Sequence, residues 1–170
     1  SRLVHYEGVF HDRRYNDTSD MESQMYPSVE NIRKFLDENT EKPFICCEYA
    51  HAMGNSNGGL FKYTDLAHNE PRYQGGFIWD FIDQGLQAYD RHGREYIAFG
   101  GDFNDRPTDY NFCVNGIVFA DRTLSPKMKE VKYCYQPVEI ICGRDTVKII
   151  NHSLFTSTDI YKFIFRLSID

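Results

Sequence analysis

The sequence predicts an α/β protein in which strands alternate with helices, followed by a segment made of strands. Up to about residue 122, short apolar runs alternate with amphipathic helical patterns, as in parallel strand–helix units. Residues 44–47 are four consecutive apolar residues without alternation, which is typical of a strand covered on both faces. From Val138 onward, strand-like runs are separated by turns instead of helices.

Local signals mark the elements of the first part. Residues 3–6 are a short strand-like run, and Ser28 is placed to cap a helix with one apolar face. Pro43 precedes the strand that ends at Glu48, and a second amphipathic helix begins near residue 60 and ends before Pro71. Residues 77–79 read as the next buried strand, with Gly75 and Gly76 allowing close backbone approach. A turn at 90–93 and a strand-like run at 96–99 follow.

The second part begins with a short helix over residues 125–135, which has a proline in its first turn. Strands are predicted at 138–142, 146–151 and 161–169. The long segment 11–27 is charged and poor in apolar residues, so it is interpreted as a loop, either an active-site rim or a mobile excursion.

Composition excludes several classes of protein. The chain is 41% hydrophobic and 26% charged, which is typical of a globular protein, and its net charge of -6 argues against binding to nucleic acid. No apolar stretch approaches the ~20 residues of a membrane helix, and no signal peptide is expected. The odd count of 5 cysteines, without metal-binding spacing, indicates reduced thiols and a cytoplasmic location.

Glu48 is the main candidate for chemistry. It follows the buried run 44–47 and precedes a polar loop that contains glycine, so it is predicted at the carboxyl end of a strand. Barrel enzymes place their catalytic residues at that end of the strands. A glutamate after a strand is also often only solvated, and the pattern by itself leaves both interpretations open.

Three blocks carry a resemblance to a known family. They are CEYAHAMGNS at residues 47–56, QGGFIWD at 74–80 and GGDF at 100–103. Together they resemble the β-galactosidases of glycoside hydrolase family 2, over about residues 6–122. The resemblance implies the C-terminal part of a (β/α)8 TIM barrel at 1–122, a connecting helix at 123–137 and the start of an immunoglobulin-like β-sandwich at 138–170.

Because of its length, this chain is expected to be an internal piece of a larger enzyme. A complete barrel needs about 250 residues and a complete sandwich about 100, whereas this sequence has 170 in all. The expected partners are therefore the remainder of the parent polypeptide, further copies in a homo-oligomer, and the carbohydrate substrate. An isolated piece with exposed strand edges is expected to associate with itself or aggregate.

The resemblance implies retaining hydrolysis of terminal β-D-galactosides such as lactose. Glu48 matches the family nucleophile, which forms a galactosyl-enzyme intermediate, and Tyr26 matches a residue that hydrogen-bonds it. Met25 and His51 match residues that contact the sugar, and Trp79 is placed to stack on a sugar ring. The alternatives are another family 2 activity such as β-glucuronidase, or a non-catalytic structural or interaction fragment.

The second carboxyl group of a retaining mechanism is expected outside this chain. The family's acid/base glutamate follows an asparagine, but Asn69-Glu70 lies after a helix and directly before Pro71, away from the carboxyl ends of the strands. We therefore reject that pair and expect the isolated fragment to be inactive. Asp80 and Asp102 could line the pocket in other roles.

Metal sites are implied only in part. Phe112, through its backbone carbonyl, and Asn115, through its amide, match sodium ligands, but an aspartate ligand from an earlier domain is missing. The magnesium ligands of the family lie near the acid/base residue and are not in this chain. His5 and Glu7 are interpreted as structural, and a Cys47 and His51 nucleophile pair is the weaker alternative to Glu48.

Overall fold

The computed structural model describes residues 2–166. The chain divides into two compact units, residues 1–134 and residues 135–170. The strands and helices of the first unit are β1 (Glu22–Met25), α1 (Val29–Glu38), β2 (Phe44–Tyr49), α2 (Leu60–Asn69), β3 (Tyr73–Ile78), β4 (Leu86–Tyr89), β5 (Glu95–Ala98) and α3 (Met128–Cys134). The second unit contains β6 (Val138–Cys142) and β7 (Val147–Asn151).

A three-stranded parallel sheet of order β1-β2-β3 organises the first unit. Helix α1 connects β1 to β2, and α2 connects β2 to β3, so the predicted strand–helix alternation is confirmed. Because the strands are parallel, their carboxyl ends lie at one edge of the sheet. That edge carries Met25, Glu48 and Ile78.

Strand β1 lies inside the segment that was interpreted as a loop, so that interpretation is wrong for residues 22–25. The strand was missed because it begins with Glu22, a residue that rarely lies in a core. Glu22 is nevertheless fully buried, and its carboxylate accepts two hydrogen bonds from the guanidinium of Arg13, at 2.7 and 2.9 Å. This bidentate pair compensates the charge and fixes the start of the strand.

The core lies between the sheet and the two helices. Phe44, Cys46 and Tyr49 of β2 are buried among Ile32 and Leu36 of α1 and the buried residues of α2. Helix α1 begins where the sequence predicts, because the Ser28 hydroxyl accepts a hydrogen bond from the amide of Asn31. Glu48 lies within β2, one residue before its end, instead of beginning the loop.

At Gly76, β3 lies close against β2. A Cβ atom built there would lie 2.7 Å from the Cβ of Cys46 and 3.0 Å from its carbonyl oxygen. The predicted close approach is therefore confirmed at Gly76, whereas at Gly75 there is open space and the backbone is left-handed instead, with φ of +94°. Strand β3 also starts earlier than predicted, at Tyr73, and ends before Trp79.

Gly76→Ala is expected to lower the free energy of unfolding by about 1–3 kcal/mol, since the extra methyl group forces β2 and β3 apart. Gly58→Ala is the matched control, because a Cβ at Gly58 meets no atom within 4 Å. Urea unfolding followed by circular dichroism measures both variants. Equal stability of the two variants would contradict the proposed close approach.

Two strand predictions, 3–6 and 161–169, are not confirmed over the residues that the structure describes. Residues 3–6 form no strand, although the carbonyl of Val4 accepts a hydrogen bond from the amide of Asp20. In the second unit, β6 and β7 form the predicted antiparallel hairpin, paired from Val138 with Asn151 to Cys142 with Val147. Residues 161–166 form no strand, and the rest of the strand predicted at 161–169 lies outside the described residues. Within residues 2–166, no helix is long and apolar enough to cross a membrane.

Candidate active site

A cavity of about 460 Å³ opens at the carboxyl edge of the parallel sheet. Its walls come from the ends of β1, β2 and β3 and from the segment 108–115. The residues that line it are Tyr26, Glu48, His51, Trp79, Gln84, Gly100, Thr108, Asp109, Tyr110, Phe112, Cys113 and Asn115. Among the residues predicted for the site, Glu48, Tyr26, His51, Trp79, Phe112 and Asn115 are thus brought together.

Tyr26 and Glu48 form the central contact of the cavity. The phenolic hydroxyl of Tyr26 donates to Oε2 of Glu48 at 2.8 Å, and the backbone amide of Tyr26 donates to the carbonyl of Glu48 at 2.9 Å. Tyr26, which follows β1 directly, adopts a left-handed backbone with φ of 51°. Burial, and then the Glu48 carboxylate, hold the pKa of Tyr26 well above its ordinary value. The phenol therefore stays protonated and remains a hydrogen-bond donor to the carboxylate.

His51 lies beside this pair in the loop after β2. Its ring stacks on Phe112, with centroids 5.6 Å apart, and meets the Tyr26 ring edge-on at 5.9 Å. Its carbonyl accepts a hydrogen bond from the amide of Asn57 at 3.1 Å, which closes the loop. Ring contacts on both sides and this backbone bond hold the imidazole at the cavity wall.

Trp79 follows β3 and is tied to the loop after β2. Its amide donates to the carbonyl of Tyr49 at 3.3 Å, and its carbonyl accepts from the amide of Ala52 at 2.8 Å. Trp79 is 38% exposed and lines the cavity. Met25 lies opposite Glu48 in the β1–β2 register and is exposed.

Asn115 supplies an oxygen atom without a partner. Its Nδ2 donates to the carbonyl of Phe112 at 2.9 Å, while its Oδ1 is buried and accepts no hydrogen bond within residues 2–166. Asn115 as a whole is 2% exposed. A buried carbonyl oxygen without a donor is costly unless a cation or a water molecule occupies its lone pairs.

Sequence reasoning missed several residues of the cavity wall. Gln84, Thr108, Asp109, Tyr110 and Cys113 all come from turns that follow the predicted elements. The sequence carries no periodic signal for them. Their positions depend on how the segment 108–115 packs against Gln84, whose amide donates to the carbonyl of Cys113. Asp109 adds a second carboxylate to the wall of the cavity.

The other candidate carboxylates have structural contacts. Asp102 Oδ2 accepts a hydrogen bond from the amide of Phe99 at 2.9 Å, in a turn. Glu70 forms an ion pair with Arg72 at 3.4 Å and precedes β3, at the amino end of that strand. Asp80 lies just past the carboxyl end of β3, and its Oδ2 accepts a hydrogen bond from Nε2 of Gln84. Because Glu70 lies at the amino end of β3, away from the cavity, its position is consistent with rejecting Asn69-Glu70 as a catalytic motif.

The Cys47 and His51 alternative is not supported by the geometry. The Cys47 thiol donates to Oε2 of Glu7 at 3.3 Å, and His51 stacks on Phe112 instead. Burial, opposed by Ser23 and reinforced by Glu7, raises the pKa of Cys47, which disfavours a thiolate nucleophile. His5 forms a hydrogen bond with Ser23 at 2.6 Å, consistent with a structural role.

The cysteines lie within the described residues and none forms a disulfide, as the sequence predicts. Cys46 is fully buried, and burial raises its pKa to about 11, whereas Cys142 is exposed. We expect a water-soluble disulfide reagent at pH 8 to label Cys142 in the folded chain and Cys46 only after unfolding. In the folded protein, Cys46 becomes a thiolate only when the pH of the solution approaches about 11. Mass spectrometry of the labelled peptides checks the order, and early labelling of Cys46 would contradict it.

Comparison with known proteins agrees with the geometry. Residues 1–140 match the family model described as glycosyl hydrolases family 2, TIM barrel domain. The chain is 58% identical to a beta-galactosidase of Halalkalibacterium halodurans and 51% identical to one of Priestia megaterium, covering 98% of this chain in both cases. It is 54% identical, over 79% of its length, to a beta-galactosidase large subunit of Leuconostoc lactis.

The aligned part spans only 16% of the two beta-galactosidases and 22% of the large subunit. The family model nevertheless covers most of the chain, and the parallel strand–helix units are those that a TIM barrel repeats. The chain therefore belongs to glycosyl hydrolases family 2 and contributes to the TIM barrel domain of that family.

Proposed function

We propose that these residues form part of the active site of a retaining β-galactosidase, with Glu48 as the nucleophile. The observation that carries the proposal is the hydrogen bond of 2.8 Å from Tyr26 to Glu48 inside a cavity lined by His51 and Trp79. The carboxylate of Glu48 is one of the two carboxyl groups that a retaining site needs, and the indole of Trp79 offers a face on which a sugar ring can stack. The names of the relatives support β-galactosides as the substrates. Lactose is itself a β-galactoside, so we include it in the proposal.

The reaction proceeds in two displacements. A carboxylate oxygen of Glu48 attacks the anomeric carbon, the bond to the leaving oxygen breaks, and a general acid gives that oxygen a proton. Water then attacks the same carbon, its proton passes to the conjugate base, and the ester bond to Glu48 breaks. Each displacement inverts the anomeric carbon, so the configuration is retained. Tyr26 stabilises the Glu48 carboxylate as it departs, by donating its phenolic proton in a hydrogen bond.

The general acid comes from outside these residues. A retaining site needs its two carboxyl groups about 5–5.5 Å apart, and Asp109 is the further carboxylate of the described cavity wall. Asp109 is exposed and lies at the start of the short helical turn Tyr110–Cys113, whereas the general acid of a glycosidase typically lies in an apolar pocket. We therefore assign the proton transfer to the remainder of the parent polypeptide and expect the segment by itself to be inactive.

Sodium fits the residues present. The buried, unpartnered Oδ1 of Asn115 and the carbonyl of Phe112 are hard oxygen donors next to the cavity. When bound, a monovalent cation would supply positive charge for a sugar hydroxyl at this wall. Magnesium does not fit in the same way, since within residues 2–166 no group of three or more His, Cys, Asp or Glu side chains could hold a metal ion. Its ligands are assigned to the remainder of the enzyme.

The domain assignment is part of the proposal. Residues 1–122 are the C-terminal part of a TIM barrel, whose other strand–helix units belong to the remainder of the parent polypeptide. Residues 123–137 form the connecting helix, and residues 138–170 begin an immunoglobulin-like sandwich. The hairpin of β6 and β7 supports a sandwich start, and the exposed apolar side chains Phe77 and Phe81 near the edge of the sheet support coverage by further barrel units. The relatives named large subunit support assembly of the whole enzyme from several chains.

Trapping the intermediate tests the proposal. The full-length enzyme, meaning a chain of the relatives' length that includes these residues, is incubated with an activated 2-deoxy-2-fluoro-β-galactoside. The fluorine slows both displacements, while the activated leaving group allows the first to occur, so the glycosyl ester accumulates. We expect the label on the peptide that contains Glu48. A label on any other carboxylate would overturn the assignment of the nucleophile.

A further inference from the structure

Gln84 lines the Glu48 cavity and is held at both ends. Its backbone amide donates to the carbonyl of Cys113 at 2.9 Å, and its side-chain Nε2 donates to Oδ2 of Asp80 at 2.5 Å. The bond to a carboxylate is charge-assisted, and such bonds are stronger than those between neutral groups. The amide of Gln84 therefore has a defined orientation, although the side chain is exposed to the cavity.

Asp80 is itself rigidly placed. Its amide donates to the carbonyl of Asn115 at 3.0 Å, and its carbonyl accepts from the amide of Ile117 at 3.1 Å. Its Oδ1 is buried and has no hydrogen-bond partner within the described range, residues 2–166. The Gln84 amide is thus the hydrogen-bond donor that the structure shows for this carboxylate. A carboxylate only accepts hydrogen bonds, so it keeps the NH₂ group of Gln84 directed at itself.

This arrangement leaves the amide oxygen of Gln84 for a ligand. We propose that Oε1 of Gln84 accepts a hydrogen bond from a hydroxyl group of the bound β-galactoside, and that Asp80 is the positioning residue that presents it. The inference rests on the proposed function, because it requires a glycoside in this cavity. Tyr26 donates to the nucleophile Glu48. Gln84 would instead contact the sugar and so discriminate among substrates by their hydroxyl groups.

The test is a panel of aryl β-galactosides, in which each member lacks one sugar hydroxyl, assayed with the full-length enzyme. Gln84→Leu is expected to lower kcat/KM for the complete sugar by about 10- to 100-fold, the effect of losing one hydrogen-bond partner. The deoxy sugar that lacks the donating hydroxyl should show no further loss in the variant. Gln87→Leu is the matched control, since Gln87 lies on β4 and contacts Tyr89.

Asp80→Asn tests the positioning role. An asparagine can donate to Oε1 of Gln84, so the Gln84 amide can turn over and present its NH₂ group to the sugar. We expect the same hydroxyl-selective loss as in Gln84→Leu, with no additional loss in the double variant. A role limited to stability would instead lower the activity toward every substrate of the panel by the same factor.

The outcomes separate this inference from the proposed function. A wild-type enzyme without aryl β-galactosidase activity would overturn both. An active wild type in which Gln84→Leu is unchanged, or loses activity equally on all members of the panel, would overturn the Gln84 contact alone. A loss confined to sugars that carry one particular hydroxyl supports the inference and identifies that hydroxyl.

Discussion

Glu48→Gln is expected to lower kcat of the full-length enzyme by on the order of 10⁴-fold or more, the scale seen when a nucleophile or its base is removed. The amide keeps the shape of the side chain and can still contact Tyr26, so folding and substrate binding should persist. What is lost is the negative oxygen that attacks the anomeric carbon. Steady-state kinetics on an aryl β-galactoside measures the loss.

Glu70→Gln is the matched control for this substitution. Glu70 follows an asparagine, as the family's acid/base residue does, but it pairs with Arg72 before β3. The control should retain nearly full kcat and lose at most about 1 kcal/mol of stability, because the pair is partly exposed. The assignment fails if Glu48→Gln keeps more than about 1% of kcat, far above the residual expected after loss of a nucleophile.

Removing the side chain adds a second readout. In Glu48→Gly, azide can occupy the space of the carboxylate and attack the anomeric carbon of a substrate with a good leaving group. This single displacement would yield the α-galactosyl azide, in which the configuration is inverted. Formation of the β-azide would show that Glu48 is not on the attacking face.

Tyr26→Phe is expected to lower kcat by about 10²- to 10³-fold, the usual effect of deleting one donor to developing negative charge. The ring, its edge contact with His51 and the backbone bond to Glu48 can all remain, so only the phenolic hydrogen bond of 2.8 Å is removed. Deglycosylation should become the slow step, because the departing carboxylate has lost its donor. Burst kinetics with an aryl galactoside would show accumulation of the intermediate.

The pH dependence of kcat/KM follows from the raised pKa of Tyr26. Burial and the Glu48 carboxylate keep the phenol protonated beyond its ordinary range, so its ionisation should cause no loss of kcat/KM up to about pH 10.

Tyr15→Phe is the control for Tyr26→Phe, since Tyr15 is an exposed residue that contacts Arg14. An unchanged kcat in Tyr26→Phe would show that the hydrogen bond in the structure has no catalytic part.

Local patterns were sufficient for the elements with regular burial. Helices α1 and α2 and strand β2 each combine an apolar face with a clear start or stop, such as Ser28 or Pro43, and the structure confirms all of them. The prediction failed for strand β1 because its signal is tertiary. Glu22 is accommodated in the core by its ion pair with Arg13 and by a hydrogen bond from Gln24, and no periodicity of the segment records the ion pair.

The residues of the candidate site likewise divide into those that the sequence predicts and those that depend on tertiary contacts. Motif resemblance brought Glu48, Tyr26, His51 and Trp79 into consideration, and parallel strand ends then place them around one cavity. Gln84 and Asp109 could not be predicted, because they reach the cavity through turns whose course depends on hydrogen bonds distant in the chain. One such bond joins the carboxylate of Asp83 to the amide of Gly116.

The left-handed backbone of Tyr26 has a counterpart on the other side of the nucleophile, where Ala50 has φ of 49°. A residue with a Cβ in this region costs about 1–2 kcal/mol. Glycine at position 50 would relieve this cost, although the greater conformational freedom of glycine in the unfolded chain offsets part of the gain. The geometry that aims Glu48 is therefore maintained against the local preference of the chain, and selection for thermal resistance alone would be expected to erode it.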